Sequence, residues 1–377
     1  MEENKMLNIT PARVGIATPE SSCGSLSRRS FLGSTAAGLT ASSLTPSLAF
    51  AAQELNILVW CDHADTKLLL PFEEKYGVKV NSKVYEGTGT ALSILEQSAP
   101  GDWDVLVVDA PDVPQVASLG ILEELSEDIA PWGDIFPRLA DAPWTRIDGK
   151  VYAIPEKFGY YGFCYNKNVV DPADARRGDI AWNSKYKGRI GVYDYYFPVM
   201  QMVGLSIGKT PSEITYDDLG IIRERLLEMR PNVRTVGDIV SVQNALVTGS
   251  VDVIVGGAEF TVSNLIPTNP HLDWVIADSG GLIWNQGIGI LADSSRKELA
   301  ADFLRWILSP AGQGSLATSE CFWAMPASRA ASLSADQKAI LRWDEQENFL
   351  ASSHFSLLPE PDMDFEMLDI WTEFLQS

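Results

Sequence analysis

Cysteine, histidine and positive charge are all scarce in this chain. Its 377 residues include 4 cysteines and 3 histidines. No Cys-x-x-Cys pair occurs, so neither a zinc site nor a disulfide framework is indicated. His63, His271 and His354 are too scattered to share a metal spacing, which leaves surface or core roles as their first explanation. Lys and Arg number 29 against 50 Asp and Glu, a formal charge of −21. Nucleic acid and anionic membranes repel such a surface, whereas cationic solutes are drawn to it. The same acidity would also keep an exported protein soluble. Past the first fifty residues there is no long apolar run, no internal repeat and no low-complexity tract.

Those first fifty residues carry a pattern of their own. Arg28-Arg29 stands in Ser-Arg-Arg-Ser-Phe-Leu-Gly, and a mildly apolar stretch from Phe31 to Phe50 follows. Ala49-Phe50-Ala51 has the small-x-small form of a cleavage site. The stretch is rich in Gly, Ser, Thr and Ala and contains Pro46, too weakly apolar for a stable membrane span. Residues 1–51 therefore read as a twin-arginine signal peptide, cleaved near Ala51. No cysteine follows it to take a lipid anchor, so a soluble periplasmic product is expected. Cys23 leaves with the leader. Cys61, Cys164 and Cys321 remain, an odd number that requires at least one free thiol. The remaining 326 residues hold 25 basic and 47 acidic side chains, enough chain for about two domains of ~150 residues.

The mature part opens as alternating strand and helix. Leu55 to Trp60 has the texture of a strand. Thr66 to Tyr76 reads as a helix stopped by Gly77, with Pro71 marking a kink or early break. Val78 to Tyr85 alternates as a strand, Thr88 to Gln97 fits a helix capped by Thr88, and Asp104 to Val108 is a continuous apolar strand. Val113 to Leu119 completes the series. Short loops between such elements predict a parallel, buried sheet. From Tyr152 the chain turns aromatic and turn-rich, with Phe158-Gly-Tyr-Tyr-Gly-Phe. Helices are expected at Asp217 to Met229, Ile239 to Leu246, Arg296 to Leu308 and Met363 to Leu375. Strands are expected at Val251 to Val255 and Leu282 to Leu291.

Several stretches, in order, carry a family resemblance. They are Leu-Asn-Ile-Leu-Val-Trp-Cys-Asp-His, Phe-Glu-Glu-Lys-Tyr-Gly-Val-Lys-Val-Asn, Gly-Asp-Trp-Asp-Val-Leu-Val-Val-Asp, Tyr-Lys-Gly-Arg-Ile-Gly-Val-Tyr-Asp and Gly-Gly-Leu-Ile-Trp-Asn-Gln-Gly-Ile-Gly-Ile. Over residues 54 to 330 the chain resembles the spermidine/putrescine-type periplasmic binding proteins of ABC importers. The resemblance implies an α/β, two-lobed (type II) periplasmic binding protein fold with hinge strands and a ligand cleft. It implies lobe 1 from 52–156 plus 284–330 and lobe 2 from 157–283 plus 331–377. It also implies a monomer that hands a small solute to an inner-membrane permease, with no catalytic residue, cofactor or resident metal.

The resemblance places candidate ligand residues one by one. Trp60 matches a cleft aromatic, with Asp62 and His63 behind it. Asp109 stands at a small polar contact, Asp194 at an amine-pairing carboxylate and Trp284 at a stacking tryptophan. Trp323 lies near a family tyrosine, and Tyr195 adjoins Asp194. A desolvated cation needs such carboxylates and aromatic faces. Gln286 and Phe197 stand where the family has acids. A family tryptophan falls near Gly257, where Glu259 offers a charge instead. A diamine needs an anion at each end, so an amine-containing ligand other than spermidine is expected, with a zwitterionic or anionic solute as the alternative. Tyr195-Tyr196 resembles the paired tyrosines of ferric-ion binding proteins, but at a different place in the chain. Gly204-Leu-Ser-Ile-Gly208 has the spacing of a hydrolase nucleophile elbow, yet Pro211 bars the helix that must follow. The backbone amides of Gly87-Thr-Gly89 could hold a ligand carboxylate at a helix start.

Overall fold

The computed structural model describes residues 53–377, so the proposed leader lies outside the described residues. Eleven strands form one continuous network: β1 Gln53–Val59, β2 Val78–Val84, β3 Val105–Asp109, β4 Ile154–Asn166, β5 Ile190–Tyr193, β6 Val233–Gly237, β7 Val253–Gly257, β8 Leu272–Val275, β9 Leu282–Ile290, β10 Met325–Pro326 and β11 His354–Phe355. The main order is β2-β1-β3-β9-β4-β7-β5-β6. β1 runs parallel to β2 and β3, and β5 parallel to β6 and β7. Between these two parallel groups run β9 and β4, antiparallel to each other and to their outer neighbours.

The opening βαβαβ reading holds. The Thr66–Tyr76 helix ends at Gly77 in the left-handed conformation that glycine adopts without strain. Pro71 sits inside this helix without ending it. Its side is exposed, where water can serve the carbonyl left unbonded. Thr88 is the first residue of the Thr88–Glu96 helix and Gly87 its cap, so the expected Thr88 cap is displaced by one position.

From Lys167 to Gly188 the chain is turn-rich as expected, but the aromatic stretch before it is not. It is β4, a strand of 13 residues buried along nearly its whole length. With both faces covered, no alternation marks it as a strand. Its glycines answer close approaches: a Cβ on Gly159 would strike the Glu259 carboxylate and the Trp284 ring, and one on Gly162 would lie 2.6 Å from the Val275 carbonyl. The β4 residues Ile154–Tyr161 pair with β9, and Gly162–Tyr165 with β7 after a register shift.

Apolar side chains fill the layers on both sides of the sheet. Beside β1 to β3, the core includes Leu55, Ile57, Phe72, Val107 and Phe303. Beside β5 to β7, Val192, Val253, Met200 and Ile222 pack with Trp371 and Phe374 of the C-terminal helix, Pro361–Gln376. Burying such a side chain fully is worth about 1.5–3 kcal/mol. Among the described residues, no helix is long and apolar enough to cross a membrane.

One cysteine expectation is corrected. Cys61 and Cys321 form a disulfide, and Cys164 is the buried free thiol. The partners are 260 residues apart in sequence, with Cα atoms 6.1 Å apart in the fold. No local spacing could announce that pair. Ser206 of the elbow-like motif ends the Tyr196–Ser206 helix and donates to the Val203 carbonyl, so no strand delivers it as a nucleophile.

Candidate functional site

The ends of β1 and β3 present carboxylates. Asp109 is the last residue of β3, half-buried, and among the described residues its carboxylate accepts one hydrogen bond, a long one from Gln286 Nε2 at 3.4 Å. Burial, reinforced by the charge of Asp112, pushes its carboxyl up to about 6. Burial raises Asp112 as well. Two acids thus share a poorly solvated place with few donors, and a cation there would relieve both.

Facing them is an aromatic cluster from the other half of the sheet. Tyr161 of β4 lies 6.2 Å from Tyr195 and 5.9 Å from Phe260, ring centre to ring centre. Phe260 stands edge-on to Trp284 of β9 at 5.8 Å. Tyr193 and Phe197 flank Tyr195 at 5.9 and 4.7 Å. Burial and then the Asp109 charge raise the Tyr195 hydroxyl. Burial and then Glu86, just past β2, push Tyr193 up to about 12. Phenols at and just past the end of β5 and acids just past β2 and at the end of β3 therefore lie close enough to feel one another's charge.

The predicted residues divide into groups. Trp60, half-buried beside Tyr85 at 6.1 Å, has an indole N–H without a partner, and so does Trp284. Gln286 reaches Asp109, Trp284 meets the aromatic cluster through Phe260, and burial and then the Asp109 charge raise the hydroxyl of Tyr85 beside Trp60. Asp62 and His63 do not open onto solvent: both are fully buried, in a cluster with Glu156 and Lys157 of β4. His63 Nδ1 lies 3.1 Å from Asp62 and Nε2 3.3 Å from Glu156. Burial opposes the Asp62 charge, but Lys157 and then His63 prevail and hold its carboxyl below the ordinary range. Burial likewise opposes charge on His63, and Asp62 and Glu156 raise it nonetheless.

Glu259 is fully buried behind Gly159, where its oxygens accept the Tyr160 N–H at 3.1 and 3.3 Å. Burial raises its carboxyl far above the usual range. Asp194 is exposed, and its Oδ1 accepts the Trp371 indole N–H at 2.8 Å. Trp323 is half-buried on the core beside the disulfide loop.

Tyr85, Asp112, Tyr161, Tyr193, Phe260 and Lys157 were not singled out in the sequence. The density of aromatics around residue 160 was a signal for Tyr161, and none of that kind marked Tyr85 or Tyr193. A Glu-Lys pair inside an apolar run signalled Lys157. Among the described residues no three His, Cys, Asp or Glu side chains converge as a metal site.

Comparison with known proteins agrees with this architecture. The spermidine/putrescine-binding periplasmic protein of Escherichia coli K12 is 23% identical over 278 residues, 73% of this chain and 78% of that protein. The putrescine/agmatine-binding protein of Pseudomonas aeruginosa is 23% identical over 279 residues, 70% of this chain and 76% of its own length. A crystallised spermidine/putrescine transporter substrate-binding protein from Streptococcus pneumoniae superposes with a TM-score of 0.73 at 18% identity, covering 86% of this chain and 99% of that one. The fold is thus the two-lobed periplasmic binding protein fold. Residues 67–340 match the bacterial extracellular solute-binding proteins, and the chain belongs to that family, whose role is to bind a solute.

Proposed function

We propose that this chain captures a small solute bearing at least one cationic nitrogen and delivers it to an ABC permease. The observation that carries the reading is the pairing of Asp109 and Asp112, two under-solvated acids, with the facing rings of Tyr161, Tyr195, Phe260 and Trp284. A desolvated cation against such faces gains about 2 kcal/mol or more per contact. The named relatives bind polyamines, which share that chemistry. The halves 52–156 plus 284–330 and 157–283 plus 331–377 would act as lobes that close on the solute about the crossing strands β4 and β9. The protein acts by binding, as a monomer, without chemistry on its cargo.

Calorimetric titration tests the ligand class. Monoamines and diamines should bind and carboxylic acids should not; tight binding of a purely anionic solute would overturn the amine reading. Export through the twin-arginine leader is part of the same proposal. Replacing Arg28 and Arg29 by Lys should leave precursor in the cytoplasm, and undiminished mature protein in the periplasm would refute it.

A further inference from the structure

Three neighbouring strands carry one row of polar side chains. Asp109 of β3 lies opposite Gln286 of β9, and Gln286 lies opposite Lys157 of β4. Residues directly opposite in a sheet point to the same face. The next such pair along β4 and β9 is Gly159 with Trp284, so Trp284 shares that face with the row. The contacts agree: the Lys157 ammonium lies 6.0 Å from the Trp284 ring and 4.7 Å from the Phe322 ring. Its partner is the Asp62 carboxylate, and both side chains are fully buried.

A carboxylate and two aromatic faces around an ammonium are what a bound alkylamine requires. Here the ammonium belongs to the protein. Lysine is almost never fully buried unless paired, and a well-packed apolar pair of similar volume would serve a purely structural role as well or better. The position of the pair, in line with Asp109 and about 10 Å from it across two strand spacings, gives it a second meaning. We propose that Lys157 permanently fills one amine subsite of the cleft and so sets its specificity, excluding the second amine of a linear diamine and leaving the Asp109–Asp112 end for a single cationic nitrogen. This rests on the amine reading above. Gln286, with a buried Oε1 that has no donor, lies between the two ends and offers an acceptor to a neutral polar group in the ligand's middle.

The test compares butylamine and putrescine by calorimetric titration against wild type, Lys157→Gln and the double variant Asp62→Asn/Lys157→Gln. Wild type should bind putrescine no more tightly than butylamine. Lys157→Gln frees the Asp62 oxygen that faced the ammonium, the other staying with His63, so the putrescine-to-butylamine affinity ratio should rise at least tenfold. The double variant removes the freed carboxylate and should lose the gain. An unchanged putrescine-to-butylamine ratio in Lys157→Gln overturns the proposal, as does a gain that survives in the double variant. If Lys157→Gln is too unstable to titrate, its melting temperature should rise more with putrescine than with butylamine at equal concentration, because only the diamine restores the missing charge. Equal rises would overturn the proposal. Butylamine binding without the diamine gain refutes the role of Lys157 alone, whereas no binding of either amine to any form refutes the amine reading beneath it.

Discussion

Asp62 and Asp109 follow adjacent strands and meet opposite fates. Asp62 is sealed from water, ion-paired to Lys157, hydrogen-bonded to His63, and held ionised. Asp109 is half-buried, served by one long bond from Gln286, and pushed up to about 6 by burial and by Asp112. Burial alone does not separate them, since both carboxylates have lost water. What separates them is whether the protein completes their pairing. A completed buried pair asks nothing of a solute, because each charge is already met within the protein and removing one partner leaves the other stranded. An incomplete one stores an unmet demand that a solute can answer.

The largest expected effect tests the scaffold side. The Cys61–Cys321 disulfide adjoins Asp62 at one end and Phe322 at the other, so it ties the paired region to the body of the molecule. Cys61→Ser/Cys321→Ser should lower stability by about 3 kcal/mol, most of it through the freer unfolded chain. Amine affinity measured well below the melting transition should change less than threefold. Denaturant unfolding and titration on the same preparation check both. A large affinity loss with unchanged stability would mean that the disulfide shapes the ligand site rather than the scaffold.

The next effect tests the ligand side. Asp109→Asn should weaken amine binding by at least tenfold, about 1.4 kcal/mol, without destabilising the empty protein. The sign follows from its carboxyl: folded near 6 against 3.8 in the unfolded chain, it releases its proton less readily when folded. Its contribution to the empty fold is therefore most favourable below about pH 4 and is lost as pH rises through about 6. Ligand binding needs the opposite charge state. Wild-type amine affinity should climb with pH up to about 6 and then level, whereas Asp109→Asn should lack that step. A flat wild-type profile between pH 5 and 7 would remove Asp109 from the site.

Much of the fold was legible because local signals and tertiary needs agreed. The opening strands and helices are periodic, capped and short-looped, and they fall within a residue or two of their expected places. β4 was not legible. Its two buried faces erase the alternation that marks a strand, and Gly159 and Gly162 resemble turn residues although they are there to admit Trp284, Glu259 and the Val275 carbonyl. The site divided along the same line. Trp60 and Asp109 stand at the ends of the opening strands that the pattern revealed, whereas Trp284 and Gln286 were marked by the family resemblance alone. The roles of Asp62 and Lys157 depend on a contact between residues 95 apart, which no pattern along the chain displays.

The smallest effect concerns Asp194, and it sharpens the comparison because this residue is neither sealed nor starved. Its carboxylate is exposed, so water meets most of its demand, and one oxygen already accepts the Trp371 indole from the C-terminal helix. An exposed charge interacts through a high dielectric and is screened by salt, so its pull on a ligand amine is worth well under 1 kcal/mol at physiological ionic strength. Asparagine keeps an oxygen for the indole and removes the charge. Asp194→Asn should therefore weaken amine binding by about threefold or less, with the difference fading as salt is raised from 20 to 200 mM, and should leave the melting temperature nearly unchanged. The Asp109 loss should persist at the higher salt, because its surroundings admit little water. A tenfold, salt-resistant loss in Asp194→Asn would show that its free oxygen turns inward when the lobes close, and the second anion of the cleft would then be Asp194 rather than Asp112.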